Sequence, residues 1–86
     1  MESFDVIGLM SGTSLDGLDI AYCNFKFDNK WRFSLVHHET VSYSKEQKYA
    51  LANLENETAI NYALFHVEFG KLMGNNVNKF IKKNKI

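Results

Sequence analysis

Three segments in the first half of the chain carry the hydrophobic rhythm of strands. Residues 4–10 are a compact, mostly apolar run that includes the β-branched pair Val6 and Ile7. Seven residues is strand length rather than helix length, and the near-continuous apolarity predicts burial on both faces. Gly8 inside the run suggests a bulge or a close backbone neighbour. Residues 18–27 alternate: Leu18, Ile20 and Tyr22 fall on one face, and Asp19, Ala21, Cys23, Phe25 and Phe27 on the other. Asp28, Asn29 and Lys30 read as a turn, since asparagine tolerates the left-handed region. Residues 31–43 alternate again. Trp31, Phe33 and Leu35 share a face that Val41 and Tyr43 continue, and Arg32, Ser34 and Val36 take the other. Short connections between such strands predict an antiparallel meander.

At Ser44 the period changes. Ser44 and Gln47 have the spacing of a capping box, which opens a short helix over 45–54. Residues 53–56 break it. A longer helix is expected over 58–83, beginning near Thr58. Ile60, Leu64 and Val67 form one apolar stripe, and Tyr62, Phe65, Phe69, Met73 and Phe80 another. Two stripes imply more than one neighbour. Gly70 and Gly74 each cost about 1 kcal/mol against alanine. Their four-residue spacing suggests close packing onto the sheet, or else a kink between Gly70 and Asn76. The fold class is therefore α/β, with three antiparallel strands followed by two helices.

Composition narrows the function. A chain of 86 residues holds at most one small domain, and such a domain buries only about 60% of its unfolded surface. Its 45% hydrophobic and 14% aromatic content is too rich for disorder. Lysine plus arginine and aspartate plus glutamate both number 10. That balance lacks the electrostatic footprint of a nucleic-acid binder. Lys79, Lys82, Lys83 and Lys85 read as the solvated end of the long helix. One cysteine, Cys23, excludes an internal disulfide and is expected to act as a small core residue in a reducing compartment. No stretch is long and apolar enough to be a membrane helix. The acidic N-terminus does not look like a signal peptide.

The candidate chemistry lies between the first two strands. Residues 11–17 contain two glycines, three hydroxyl side chains and one carboxylate. Gly12 and Gly17 can take positive φ without steric cost. Ser11, Thr13 and Ser14 add hydroxyl donors to exposed backbone N–H groups. Asp16 can hold a metal ion, because hard cations prefer oxygen ligands. That composition suits a turn whose backbone approaches a phosphate; the plain alternative is a polar hairpin loop. The Walker phosphate loop is excluded, since Leu18 stands where its lysine would be and a strand follows. The dinucleotide pattern G-x-G-x-x-G is absent. His37, His38 and Glu39 are poor metal ligands as a group, because adjacent strand residues point to opposite faces. His66 and Glu68 lack zinc-protease spacing.

The run Ile7-Gly-Leu-Met-Ser-Gly-Thr-Ser-Leu-Asp-Gly-Leu-Asp-Ile20 resembles the opening of the anhydro-N-acetylmuramic acid kinases, with their motif M-S-G-T-S-[LM]-D-G-x-D. The likeness continues more weakly through both helices. It covers essentially the whole chain but only the first part of the family's protein. It implies an incomplete N-terminal lobe, residues 1–86, of the actin-like ATPase (ribonuclease H-like) fold shared with hexokinases. It also implies ATP and Mg2+ as cofactors. The family's ATP segment falls on Gly12, Thr13, Ser14, Leu15, Asp16, Gly17, Leu18 and Asp19. Asp16 or Asp19 would serve the metal. The implied reaction opens the anhydro bridge of 1,6-anhydro-N-acetylmuramic acid with water and phosphorylates the sugar, recycling bacterial peptidoglycan in the cytoplasm. The family's catalytic aspartate has no counterpart within residues 1–86, so these residues alone are expected to be inactive. The intact enzyme is expected to be a homodimer with neither nucleic acid nor membrane as partner. The rival expectation is a small non-catalytic module that self-associates through its sheet.

Overall fold

The computed structural model describes residues 2–12 and 15–86. The chain runs β1 (Glu2–Met10), β2 (Gly17–Asp28), β3 (Lys30–Ser42), α1 (Lys45–Ala52), a 3₁₀ turn (Leu54–Asn56) and α2 (Ala59–Lys83). The strands pair in sequence order, both times antiparallel. The expected meander followed by two helices is therefore present.

Local chemistry explains the boundaries. Asn29, at φ 65°, turns the chain between β2 and β3. Ser44 Oγ accepts the Gln47 N–H at 3.1 Å, and Gln47 Oε1 accepts the Ser44 N–H at 2.8 Å. This reciprocal cap satisfies two donors that the first turn of α1 leaves open. Asn53 stops α1 by donating both its backbone N–H and its side-chain amide to the Tyr49 carbonyl, at 3.2 and 2.8 Å. Thr58 Oγ1 accepts the Asn61 N–H at 3.2 Å and starts α2. The helix then passes unbroken through Gly70 and Gly74. Lys82 and Lys83 occupy its last turn, where cations suit the helix dipole.

One extra residue sets the faces of the sheet. Tyr22 pairs with His37 while Cys23 pairs with Leu35, so Val36 is a bulge in β3. A bulge places two residues opposite one and reverses the alternation beyond it. Trp31, Phe33 and Leu35 therefore share a face with Phe4, Val6, Phe25 and Phe27. Val41 and Tyr43 lie on the opposite face, not on the shared one that uninterrupted alternation predicts. The bulge sits in β3 and not at Gly8, which pairs regularly with Ala21 and has no atom near a built Cβ.

The inner face carries the core. Leu18, Ile20, Tyr43 and Phe80 are buried, with Ile7, Tyr22, Val41, Leu51, Phe69, Leu72 and Met73 packed around them. Tyr43 and Phe69 rings lie 6.0 Å apart, and Phe65 stacks on Phe69 at 5.6 Å. Large side chains thus fasten α2 to the sheet. Gly70 and Gly74 do not, since a Cβ at either would meet nothing within 4 Å. The stripe of Ile60, Leu64 and Val67 stays exposed.

Among the described residues, nothing covers the outer face. Phe27 and Trp31 rings approach to 5.1 Å, Phe4 and Trp31 to 6.1 Å, and Phe25 and Phe33 to 6.0 Å. Yet Trp31 is 61% and Phe33 73% exposed. The apolar run of β1 is likewise not buried on both faces: only Ile7, on the inner side, packs against the core. Cys23 lies half-buried on this outer face and not in the core. The accessible surface is 6737 Å², against about 5,200 Å² for a compact chain of this mass. The radius of gyration is 16.1 Å, against about 12 Å for a compact domain. No helix among the described residues is long and apolar enough to cross a membrane.

Phe80 is 1% exposed at the centre of the one buried cluster. Phe80→Ala should cost about 3–5 kcal/mol, much of a small domain's stability, whereas Ile60→Ala on the open stripe should change it by less than about 0.5 kcal/mol. Urea unfolding of both variants reads the difference. Equal midpoints would show that α2 is not held through Phe80.

Candidate functional site

The loop between β1 and β2 is a strand–loop–strand connection tied down at both ends. Tyr43, just past β3, supplies both ties. Its hydroxyl donates to Ser11 Oγ at 2.7 Å, and its backbone N–H donates to the Asp16 carbonyl at 3.2 Å. Within the loop the Leu15 N–H reaches the Gly12 carbonyl at 3.3 Å. Thr13 and Ser14 lie outside the described residues.

The two glycines play different parts. No described glycine has positive φ; among the described loop residues the left-handed one is Leu15, at φ 58°. Gly17 is needed for space and not for φ. A Cβ there would sit 2.5 Å from the Val41 carbonyl oxygen and 3.2 Å from Ser42 Cα, so β3 runs directly against it. Gly12 is open, with nothing within 4 Å of a built Cβ. Its backbone is therefore accessible to a ligand from outside.

The remaining expected site residues divide by face. Asp16 is exposed in the loop. Asp19 pairs with Met10 and Thr40 on the outer face, and its carboxylate accepts the Thr40 hydroxyl at 2.5 Å. One hydroxyl occupies one of several lone-pair positions, so Asp19 retains acceptor capacity. Leu18 is fully buried in the core, so only its main chain can face a ligand. His37 stacks on Tyr22 with centroids 6.2 Å apart, while His38 pairs with Ala21 on the outer side. Among the described residues, no three His, Cys, Asp or Glu side chains converge on a point. Asp16 is exposed and Asp19 keeps acceptor capacity beside Thr40, a donor set that fits a hard cation taking one or two carboxylates.

Tyr43 is the site residue that sequence reasoning missed. It reads as one more apolar position of β3. Its tie to Ser11 spans 32 residues, and no local pattern announces a partner at that distance.

The chain is thus an α/β unit built around a polar, glycine-bearing loop between its first two strands. It belongs to the anhydro-N-acetylmuramic acid kinase family, whose model matches residues 4–86. Relatives of that description include one from Sulfurimonas denitrificans, 34% identical over 82 residues, covering 93% of this chain and 22% of the relative. One from Pseudoalteromonas translucida is 37% identical over 78 residues, covering 86% of this chain and 20% of the relative. A third, from Pseudoalteromonas atlantica, is 34% identical and covers 91% and 20%. The chain thus spans about a fifth of the length of these relatives. No solved structure matches it.

Gly17→Ala should lower stability by about 1–3 kcal/mol, because β3 must move to admit the methyl group. Gly12→Ala should leave stability nearly unchanged, since the space is empty. Thermal melts of the two variants check this pair. A Gly17→Ala melt matching that of the parent would remove close approach as the reason for that glycine.

Proposed function

We propose that this chain is the nucleotide-phosphate segment of an ATP-dependent sugar kinase. The acceptor is 1,6-anhydro-N-acetylmuramic acid, in keeping with the relatives' description as anhydro-N-acetylmuramic acid kinases. The carrying observation is the loop of residues 11–16, tethered at Ser11 and Asp16 and open at Gly12. Successive backbone N–H groups in a glycine-bearing turn favour an anion. Thr13 and Ser14 add hydroxyls in the same stretch, and residues 15–19 continue the nucleotide-binding segment. Asp16, exposed at the loop's end, or Asp19, at the start of β2, orients Mg2+ by one carboxylate.

Bound MgATP supplies the phosphoryl group. The protein's part is to fix the phosphates and exclude misalignment, which is most of what catalysis of phosphoryl transfer demands. The chain spans about a fifth of the relatives' length, and on this reading turnover needs the acceptor site and catalytic groups of a kinase of that length. The lobe would adopt the actin-like ATPase arrangement, and the intact kinase would act as a homodimer in the cytoplasm, in peptidoglycan recycling.

In a kinase of the relatives' length carrying this segment, Asp16→Asn should mainly lower kcat, by roughly tenfold or more, through loss of metal positioning. Gly12→Val should raise KM for ATP by filling the open approach. Steady-state ATP titrations beside thermal melts measure both effects. Folded variants with parental constants would leave an ordinary polar hairpin as the account of this loop.

A second reading, self-association of the 86-residue chain, is favoured by its uncovered outer sheet face. The surface excess is about 1,500 Å², while each partner of a standard interface buries about 800 Å². The chain has no net charge to oppose its own copies. Sedimentation velocity across a concentration series should show a dimer that Trp31→Lys reduces to monomer. A monomer throughout the series ends this reading.

A further inference from the structure

We infer that Tyr43 is the positioning residue of the phosphate loop, coupling its shape to the docking of α2. The inference rests on the proposed role of the loop, which it deepens. Tyr43 is 5% exposed, and its ring lies in the core cluster with Leu18, Ile20 and Phe80. Phe69 of α2 holds the ring from the helix side, with centroids 6.0 Å apart. A buried ring fixed on several sides has one orientation. Its hydroxyl therefore has one place to donate, and that place is Ser11 Oγ, at the end of β1. The backbone N–H of the same residue holds Asp16, at the entrance to β2.

One side chain and its own amide thus clamp both flanks of the loop. A packed tyrosine hydroxyl also needs a partner, since burying it unpaired costs free energy. Ser11 satisfies that need, so the bond is maintained from both sides. The arrangement gives α2 a route to the loop: helix, ring, hydroxyl, serine. Displacement of the helix removes support from the ring and frees Ser11. Leu15, in the left-handed region at φ 58°, depends on this clamp, because an unconstrained leucine favours other backbone angles.

The test uses the 86-residue chain itself, by amide hydrogen exchange and two-dimensional NMR. Tyr43→Phe removes only the hydroxyl, so the sheet and helix signals should persist. The Leu15 and Tyr43 amides, whose bonds belong to the loop, should exchange roughly two- to tenfold faster, in proportion to one lost hydrogen bond. Ser11→Ala should do the same, and the double variant should add nothing further. Phe80→Leu is the control for general loosening. It should speed exchange across the sheet and α2 and not in the loop alone. Parental exchange at both amides in Tyr43→Phe, or a uniform rise matching Phe80→Leu, overturns the proposal. MgATP titration of the parent chain separates the two claims. Shifts at Gly12 and Gly17 that weaken in Tyr43→Phe support both. No shift in the parent removes the phosphate reading, while the exchange data still decide whether Tyr43 holds the loop.

Discussion

The structure depends on the burial of a few side chains at one end of a long sheet. Leu18 and Ile20 from the central strand, Tyr43 from the end of β3 and Phe80 from α2 form the only fully covered cluster among the described residues. Everything else is arranged by what this cluster fixes. It orients α2 across the inner face, settles which side of each strand is inside and holds the Tyr43 ring from which the β1–β2 loop hangs. Beyond Tyr22 the inner face turns polar: Asn24 donates to Ser3 and Asp5 at 3.1 and 2.7 Å. The distal half of the sheet extends past this core with its aromatic side bare.

The meander, the capping box and the start of α2 were legible because each rests on local chemistry. Alternation, an asparagine turn and a serine three residues before a glutamine all act within a few residues. The bulge at Val36 was not legible. Trp31, Phe33, Leu35, Val41 and Tyr43 keep one parity across the polar His37 and Glu39, and only pairing with β2 reveals that this parity serves two faces. Burial of β1 on both sides failed for a related reason. An apolar run does not say what will lie over each face, and among the described residues only the inner face of β1 meets the core, through Ile7. Gly8, Gly70 and Gly74 invited explanations by close approach, yet all three face open space.

The candidate loop was legible as a composition and as a family motif, because glycine, hydroxyl and carboxylate concentrate within seven positions. Its internal geometry was less so. The left-handed position fell on Leu15 and not on a glycine, and Gly17 answered to a neighbouring strand that sequence distance conceals. The supporting shell lay outside the motif altogether, in a tyrosine that resembles its apolar neighbours in β3. Motifs mark the atoms that meet a ligand; the residues that hold those atoms still are found by packing.

The place of Phe80 near the end of the chain has a consequence for synthesis. Synthesis runs from the N-terminus, so the whole meander is polymerised before the helix residue that covers its inner face. At about 5–20 residues per second, the roughly forty residues from Tyr43 to Phe80 take about 2–8 s. Until then Leu18 and Ile20 lack the side chain that covers them, and the sequence has no proline to blunt a strand edge. Closure of the core is therefore the last step the chain order permits, completed only with the final turns of α2.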